Sequence, residues 1–259
     1  MKRPMKKLPY ISTAATVLLL TAASPASLAN DEEEIPFSVA NVFFELNNTD
    51  GDLGIHALID GEPWKKLKIE DTRERKMLNI RLTGRLKKQG LTELFFESAE
   101  PTFDELAPEE FFKRFPEGEY EVEGVTLEGI EMESTSVVTH LMPAPPNISV
   151  SGMPVPDDCD EDPGPAVTEP YTVSWDPVST SHPDLGRRDE PIDVVKYELV
   201  VEREEPDPLK FSIDLPPSVT SLQLPTGLAG PGEEFKVEVL VREASGNQTA
   251  TESCFRIAE

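Results

Sequence analysis

The 259-residue sequence predicts an all-β protein: two β-sandwich-like domains in tandem, the first interrupted by a short helix. Three observations predict this. Apolar residues recur at every second position over most of the chain, which puts one set of side chains on the core face of a sheet. The runs are parted by segments rich in Gly and Pro, 15 and 25 in all, the residues that turns select for their backbone conformations. A proline-dense stretch, Met142-Pro143-Ala144-Pro145-Pro146, splits the pattern in two. Proline at that density favours stiff, extended backbone and marks a boundary.

The chain opens with Lys2, Arg3, Lys6 and Lys7, continues with an apolar run over 11–23, and reaches Ser27-Leu28-Ala29, small residues at the positions a signal peptidase reads. This is the layout of a secretory signal peptide over 1–29. The run is shorter than the roughly 20 residues a membrane span needs, and no Cys follows it to carry a lipid anchor. No later segment is apolar enough to cross a bilayer. The expectation is a mature chain exported to the periplasm or released outside the cell, the short signal suiting a Gram-negative bacterium. Removing the four basic residues of 1–29 takes the formal charge from −25 to −29. That charge repels nucleic acid and anionic membranes and favours cations and basic partners.

The first domain is expected over 30–142, after an acidic leader at 30–36. Val42, Phe44 and Leu46 alternate, with Phe43 on the opposite face; Ile55, Ala57 and Ile59 follow, then Leu67 and Ile69 after Trp64, then Leu78, Ile80 and Leu82. Residues 91–97, Tyr120 with Val122, and Val137 with Val138 complete the strands. Asp50-Gly51, Asp60-Gly61 and Glu117-Gly118 sit between runs and read as turns. One helix interrupts: Pro108 suits its first position, Glu109 and Glu110 suit its positive end, and Lys113 and Arg114 suit the other. Leu106, Phe111, Phe112 and Phe115 lie near helical spacing, so the helix plugs one end of the β core. Thr102 with Glu105 has the spacing to cap an earlier turn.

The second domain is expected over 143–259. Its alternating runs are Ile148 and Val150; Tyr171, Val173 and Trp175; Val195, Tyr197, Leu199 and Val201; Phe211, Ile213 and Leu215; Val219, Leu222 and Leu224; Phe235, Val237, Val239 and Val241; and a last one near 251–257. Seven strands in about 110 residues suit a small β-sandwich. Tyr171-Thr-Val-Ser-Trp175-Asp-Pro-Val178 resembles the second strand of a fibronectin type III domain, whose Trp packs in the core. Tyr197-Glu-Leu-Val-Val201 is similar to its third strand. Ser221-Leu-Gln-Leu224 with Leu228, Gly232 and Phe235-Lys-Val-Glu-Val239 resembles the approach to its sixth, and Ala244-Ser-Gly-Asn247 looks like the hairpin before its last. The resemblance implies an immunoglobulin-like sandwich. Phe235 stands where that family usually has a tyrosine, so the hydroxyl bond of a tyrosine corner is missing. Residues 152–169 and 176–191 are longer than the family's usual connections. The first half resembles only uncharacterised exported bacterial proteins.

Cys159 and Cys254 are the only cysteines. In an oxidising compartment an even pair reads as one disulfide. The sandwich implied by the resemblance brings both to one pole, and closing a loop of about 95 residues is worth roughly 4 kcal/mol in the chain-entropy model.

Candidate chemistry is sparse. Asn48, Asp50 and Asp52 surround Gly51 and read either as a hairpin turn or as a calcium loop. An EF-hand is excluded, because aligning Gly51 with its invariant Gly puts Leu46 first and Ala57 last, where it needs acids. Asp157, Asp158, Asp160, Glu161 and Asp162 around Cys159 read as a solvated acidic loop or a second cation site. His56, His140 and His182 form no metal or triad motif, and no GxSxG elbow or phosphate-cradling loop is present. With 49 acidic residues, carboxylate pairs for glycoside hydrolysis arise freely by chance. The expectation is therefore a non-catalytic protein with no cofactor beyond calcium. It binds a protein or surface polymer through the 176–191 loop, with Arg187 and Arg188, or the 245–249 hairpin, since loops on a rigid scaffold commonly carry binding. A carbohydrate-binding or accessory module, with Trp64 as its free aromatic, and an enzyme with convergent carboxylates in the first half are the alternatives.

Overall fold

A computed structural model describes residues 34–156, 158–203, 207–228 and 230–259; the expected signal peptide at 1–29 lies outside them. The first half carries β1 (Val39–Asn47), β2 (Asp52–Glu70), β3 (Lys76–Arg81), α1 (Leu86–Gln89), β4 (Leu91–Glu97), α2 (Pro108–Arg114), β5 (Gly118–Thr126) and β6 (Glu131–Val138). The second carries β7 (Ile148–Val150), β8 (Met153–Pro154), β9 (Ala166–Val167), β10 (Thr172–Trp175), β11 (Val194–Arg203), β12 (Leu209–Leu215), β13 (Ser221–Gln223), β14 (Glu234–Glu243) and β15 (Gln248–Ile257). The fold is all-β.

The 19-residue β2 organises the first half. β1 and β4 flank its beginning; β3 and β5 flank its end. The expected Asp60-Gly61 turn is instead part of this strand, with pairing irregularities between Asp60 and Lys66. A side chain at Gly61 would come within 2.8 Å of Met132 Cε and 3.1 Å of Phe37 Cδ1. Glycine inside a strand marks such a close approach. The sheet curls until β6 returns beside β1, where the Ser136 hydroxyl accepts from the Val42 N–H (2.8 Å). The core holds Phe44, Trp64, Leu67, Ile69 and Tyr120, all at most 1% exposed. Helix α2 closes one end as expected: Pro108 opens it, and Phe111 and Phe112 meet the Phe44 ring edge-on at 5.7 and 5.6 Å. Trp64 is 0% exposed, which removes the aromatic that a stacking carbohydrate site would have used. α1 was not expected; no apolar spacing announces its four residues.

The second half is a sandwich of two sheets, β12-β11-β14-β15 and β13-β10-β7-β8, and each expected strand is present. Trp175 is 4% exposed and packs on Tyr197 at 5.4 Å between ring centroids. Phe235 compensates for its missing hydroxyl by stacking on Phe255, 5.4 Å apart and 14° from parallel. A bulge between Val194 and Lys196 turns Val194 toward the core and leaves Val195 exposed, against the simple alternation. The long 152–169 connection contributes to both sheets, as β8 beside β7 and β9 beside β15. Cys159 and Cys254 are disulfide-bonded, their Cα atoms 5.9 Å apart, and the connection passes so close to β15 that a Cβ on Gly164 would overlap the Cys254 carbonyl oxygen at 2.1 Å.

The two apolar cores lie on either side of residues 142–146, but the backbone between them is continuous sheet. β1 pairs in parallel with β15, Glu45 opposite Gln248 and Asn47 opposite Ala250, giving one path β12-β11-β14-β15-β1-β2-β5-β6. Phe43, expected on an outer face, is 3% exposed because Arg242 lies over its ring at 4.7 Å and Gly246 packs beneath it. Asn247 ties the junction: its Oδ1 accepts from the Phe44 N–H (2.9 Å), and its Nδ2 donates to the carbonyls of Thr139 (2.8 Å) and Leu141 (3.2 Å).

Candidate functional site

Two loops expected to present a binding surface also make contacts inside the molecule. The 245–249 hairpin is the junction just described, with Asn247 1% exposed. The 176–191 loop folds back onto the first half. The His182 N–H donates to the Met142 carbonyl (2.7 Å), the Ala144 N–H to the Thr180 carbonyl (3.0 Å), and Leu185 joins the first core. The proline-rich connection is thereby fastened along its length, its Pro143 carbonyl also accepting from Thr249 Oγ1 (2.8 Å). Backbone groups along an extended, proline-rich segment need partners, which these loops supply; the 245–249 hairpin is largely buried in doing so, while most of 176–191, Arg187 and Arg188 included, stays exposed as expected.

The expected cation ligands at the β1–β2 turn have separate neighbours. The Asn48 side-chain oxygen accepts from His182 Nε2 (3.2 Å), an assignment that follows because His182 Nδ1 accepts from the Asp184 N–H (3.0 Å). Asp50 accepts from Asn47 Nδ2 (2.9 Å). Asp52 opens β2; its Oδ1 is buried without a hydrogen-bond partner among the described residues. Burial, with Glu100, Asp50 and Glu45 nearby, raises its carboxyl to about 6. In the acidic loop, Asp158 and Asp162 accept from backbone N–H groups of that loop; Asp157 lies outside the described residues.

What remains exposed is a basic strip. A cleft of about 520 Å³ opens between α2 and the 176–191 loop, with Phe112, Pro116 and Leu185 in its lining and Arg73, Lys113, Arg187 and Arg188 around it. One wall is rigid. Arg187 grips Glu117 with both arms (2.8 and 3.1 Å), and the His140 N–H donates to the same carboxylate (2.7 Å). Burial opposes ionisation of Glu117, but these donors hold its carboxyl below the usual range. His140 Nε2 donates to the Phe115 carbonyl (2.8 Å) while its ring lies 4.3 Å from that of Phe112. From the cleft the strip continues along β3 to α1. Residues 65–90 hold ten basic residues against three acidic ones, Glu70, Asp71 and Glu74, in a chain whose formal charge is −25. Arg75 pairs with Asp71, and Lys68 with Glu70 and Glu123. Among the described residues Lys66, Arg73, Lys76, Arg81, Arg85, Lys87 and Lys88 are exposed and make no ion pair. β3 is six residues long, so the strip runs roughly 20 Å from the cleft to α1. Charges on an edge strand also deter strand addition, yet Arg85, Lys87 and Lys88 lie beyond that edge. A running charge count would have located this segment; the whole-chain acidity hides it.

No family model matches the chain, and no curated protein matches it. Among solved structures, the FN1–FN3 domains of chicken CNTN1 match with a TM-score of 0.35 and 10% identity over 87% of this chain and 65% of that one. The chain thus spans less than two thirds of that structure, and a likeness this weak carries no functional weight. The fibronectin type III likeness stands at the level of fold, as two stacked sheets around Trp175. Among the described residues no helix is long and apolar enough to cross a membrane.

Proposed function

We propose that this is an exported, non-catalytic binding protein that holds an anionic surface polymer, of the carboxylated or sulfated glycan class, along the strip from Arg188 to Lys88. The observation that carries the reading is the concentration of unpaired cations at 65–90 in an otherwise acidic chain. Unpaired like charges concentrated in one segment raise the local potential and steer an oppositely charged partner, while the remaining acidic surface turns away non-specific polyanions. With Trp64 and Trp175 both in cores, recognition runs through charge and not through ring stacking. The sandwich, fused to the first half through β1 and β15, serves as a rigid mount. The disulfide fits an oxidising compartment, which supports export.

Heparin and alginate columns test this. The protein is expected to be retained at low salt and released as salt rises, with the triple variant Arg85→Glu, Lys87→Glu, Lys88→Glu eluting far earlier at unchanged thermal stability. Equal retention of the variant and the parent protein overturns the reading, as does tighter binding to duplex DNA than to either glycan.

A further inference from the structure

We propose that Glu45, His56 and Glu100 form a binding site for a divalent transition-metal ion of the zinc class, on the sheet face where β1 and β2 meet β15. The site lies away from the basic strip. In the β1–β2 register Phe43 faces His56, Glu45 faces Gly54 and Asn47 faces Asp52, so Glu45, Asp52 and His56 share one face. Glu100 arrives from the segment after β4. That segment is pinned across the sheet by the Ser98 N–H on the Ile55 carbonyl (3.1 Å) and the Phe103 N–H on the Gly51 carbonyl (2.8 Å). Gly54 leaves the space Glu100 occupies: a Cβ there would meet Glu100 Oε1 at 2.3 Å.

One donor atom from each of the three side chains lies within 4.8 Å of the others. His56 is 2% exposed, with Nε2 2.9 Å from Glu100 Oε1 and Nδ1 3.6 Å from Glu45 Oε2. The buried ring thus has a carboxylate beside each of its two nitrogens. A divalent ion bound at one nitrogen would offset the negative charge that the two carboxylates concentrate there. No Lys or Arg does so: among the described residues none pairs with Glu45 or Glu100, and Arg242 donates instead to Gln248 (2.7 Å), which donates in turn to Glu45. The contrast is a second acidic cluster, Glu70, Glu121 and Glu123, where Lys68 sits 3.0 Å from Glu70 and 2.8 Å from Glu123 and already supplies the cation. Asp52, with its buried and unpartnered Oδ1, stands next along the face as a further oxygen donor.

The donor set selects the ion. One imidazole nitrogen with two or three carboxylate oxygens suits four-coordinate zinc, with bonds of about 2.0–2.2 Å; an ion at one nitrogen takes the carboxylate beside it directly and the other after its side chain swings round the ring. Calcium wants six to eight oxygens and finds fewer here. Gln248, holding Glu45 in place, is a positioning residue.

Equilibrium dialysis of the metal-stripped, disulfide-intact protein against micromolar zinc chloride, with cobalt as a spectroscopic substitute, tests the site. One zinc per chain is expected, with visible cobalt absorption of four-coordinate character. Glu100→Gln and His56→Gln should each abolish uptake, Gln248→Ala should weaken it about 10–100-fold, and Asp50→Asn should leave it unchanged. Glu100 is partly exposed, so Glu100→Gln should keep its metal-free melting temperature and reports on the site even where His56→Gln folds poorly. No zinc uptake by the parent protein overturns the proposal, as does uptake that survives Glu100→Gln or is lost in Asp50→Asn.

Discussion

Asn247 shows how much one side chain can hold. It is 1% exposed and satisfies the Phe44 N–H and the carbonyls of Thr139 and Leu141 at once. Replacing it with Ala leaves those groups buried without partners, each costing about 1–3 kcal/mol. Asn247→Ala should therefore lower unfolding stability by about 3 kcal/mol in urea titrations. Asn247→Asp should cost at least as much at neutral pH, because its oxygens would face two carbonyl oxygens. The sequence offered Asn247 only as a hairpin residue, which accounts for its position in the turn and not for its three partners. Trp64 makes the same point in reverse. Its neighbours Lys65 and Lys66 suggest exposure, yet the bend of β2 carries it to 0% exposed.

At the scale of elements, helix α2 was legible because its signals are local: Pro108 at the start, acids first, bases last, and apolar residues at helical spacing. Truncating Phe111 to Ala should cost about 3–5 kcal/mol by emptying the edge-on contact with Phe44. The 152–169 connection was legible as an insertion but not as a piece of both sheets, since two-residue strands carry no period. Its disulfide closes 95 residues of separation. Replacing both Cys159 and Cys254 with Ala should lower stability by roughly 2–4 kcal/mol and make residues 155–165 the first site of limited proteolysis.

Across the whole molecule, the shared sheet predicts shared unfolding. The contacts joining β1 to β15, the 176–191 loop to Met142, and Asn48 to Ala250 are main-chain hydrogen bonds. Calorimetry should show one transition with matching calorimetric and van't Hoff enthalpies; two resolved transitions would mean that the halves fold apart. The acidic sheet face sets the pH dependence. Burial, with Glu45 and Glu252 nearby, raises Glu238 to about 7, and Asp52 rises to about 6. Burial raises Glu45 as well. A carboxyl whose folded pKa is raised binds more protons in the native than in the unfolded state between the two values, so stability falls as pH rises through that window. Glu117 and Asp71 are shifted downward, so their contributions are intact above about 4.5. His182, which burial holds below 6.5, acts in the opposite sense but is a single group. In metal-free buffer the melting temperature should therefore decline from about pH 5 to about pH 7.5; a rise over that range would contradict the assignment.

The sequence by itself determined the all-β class, most strands of both halves, the helix at Pro108 and the pairing of Cys159 with Cys254; Trp175 as a core residue is what the fibronectin type III resemblance implied. The strands and the helix follow from alternation and turn chemistry, signals that act over a few residues, and the disulfide from a count of two cysteines. Only the tertiary structure decided that β1 and β15 join the halves, that the 245–249 hairpin is buried between them while the 176–191 loop packs on the first half, and that Glu45, His56 and Glu100 converge. Those outcomes depend on which backbone edges and side chains meet across as many as 203 positions, far beyond the reach of local periodicity.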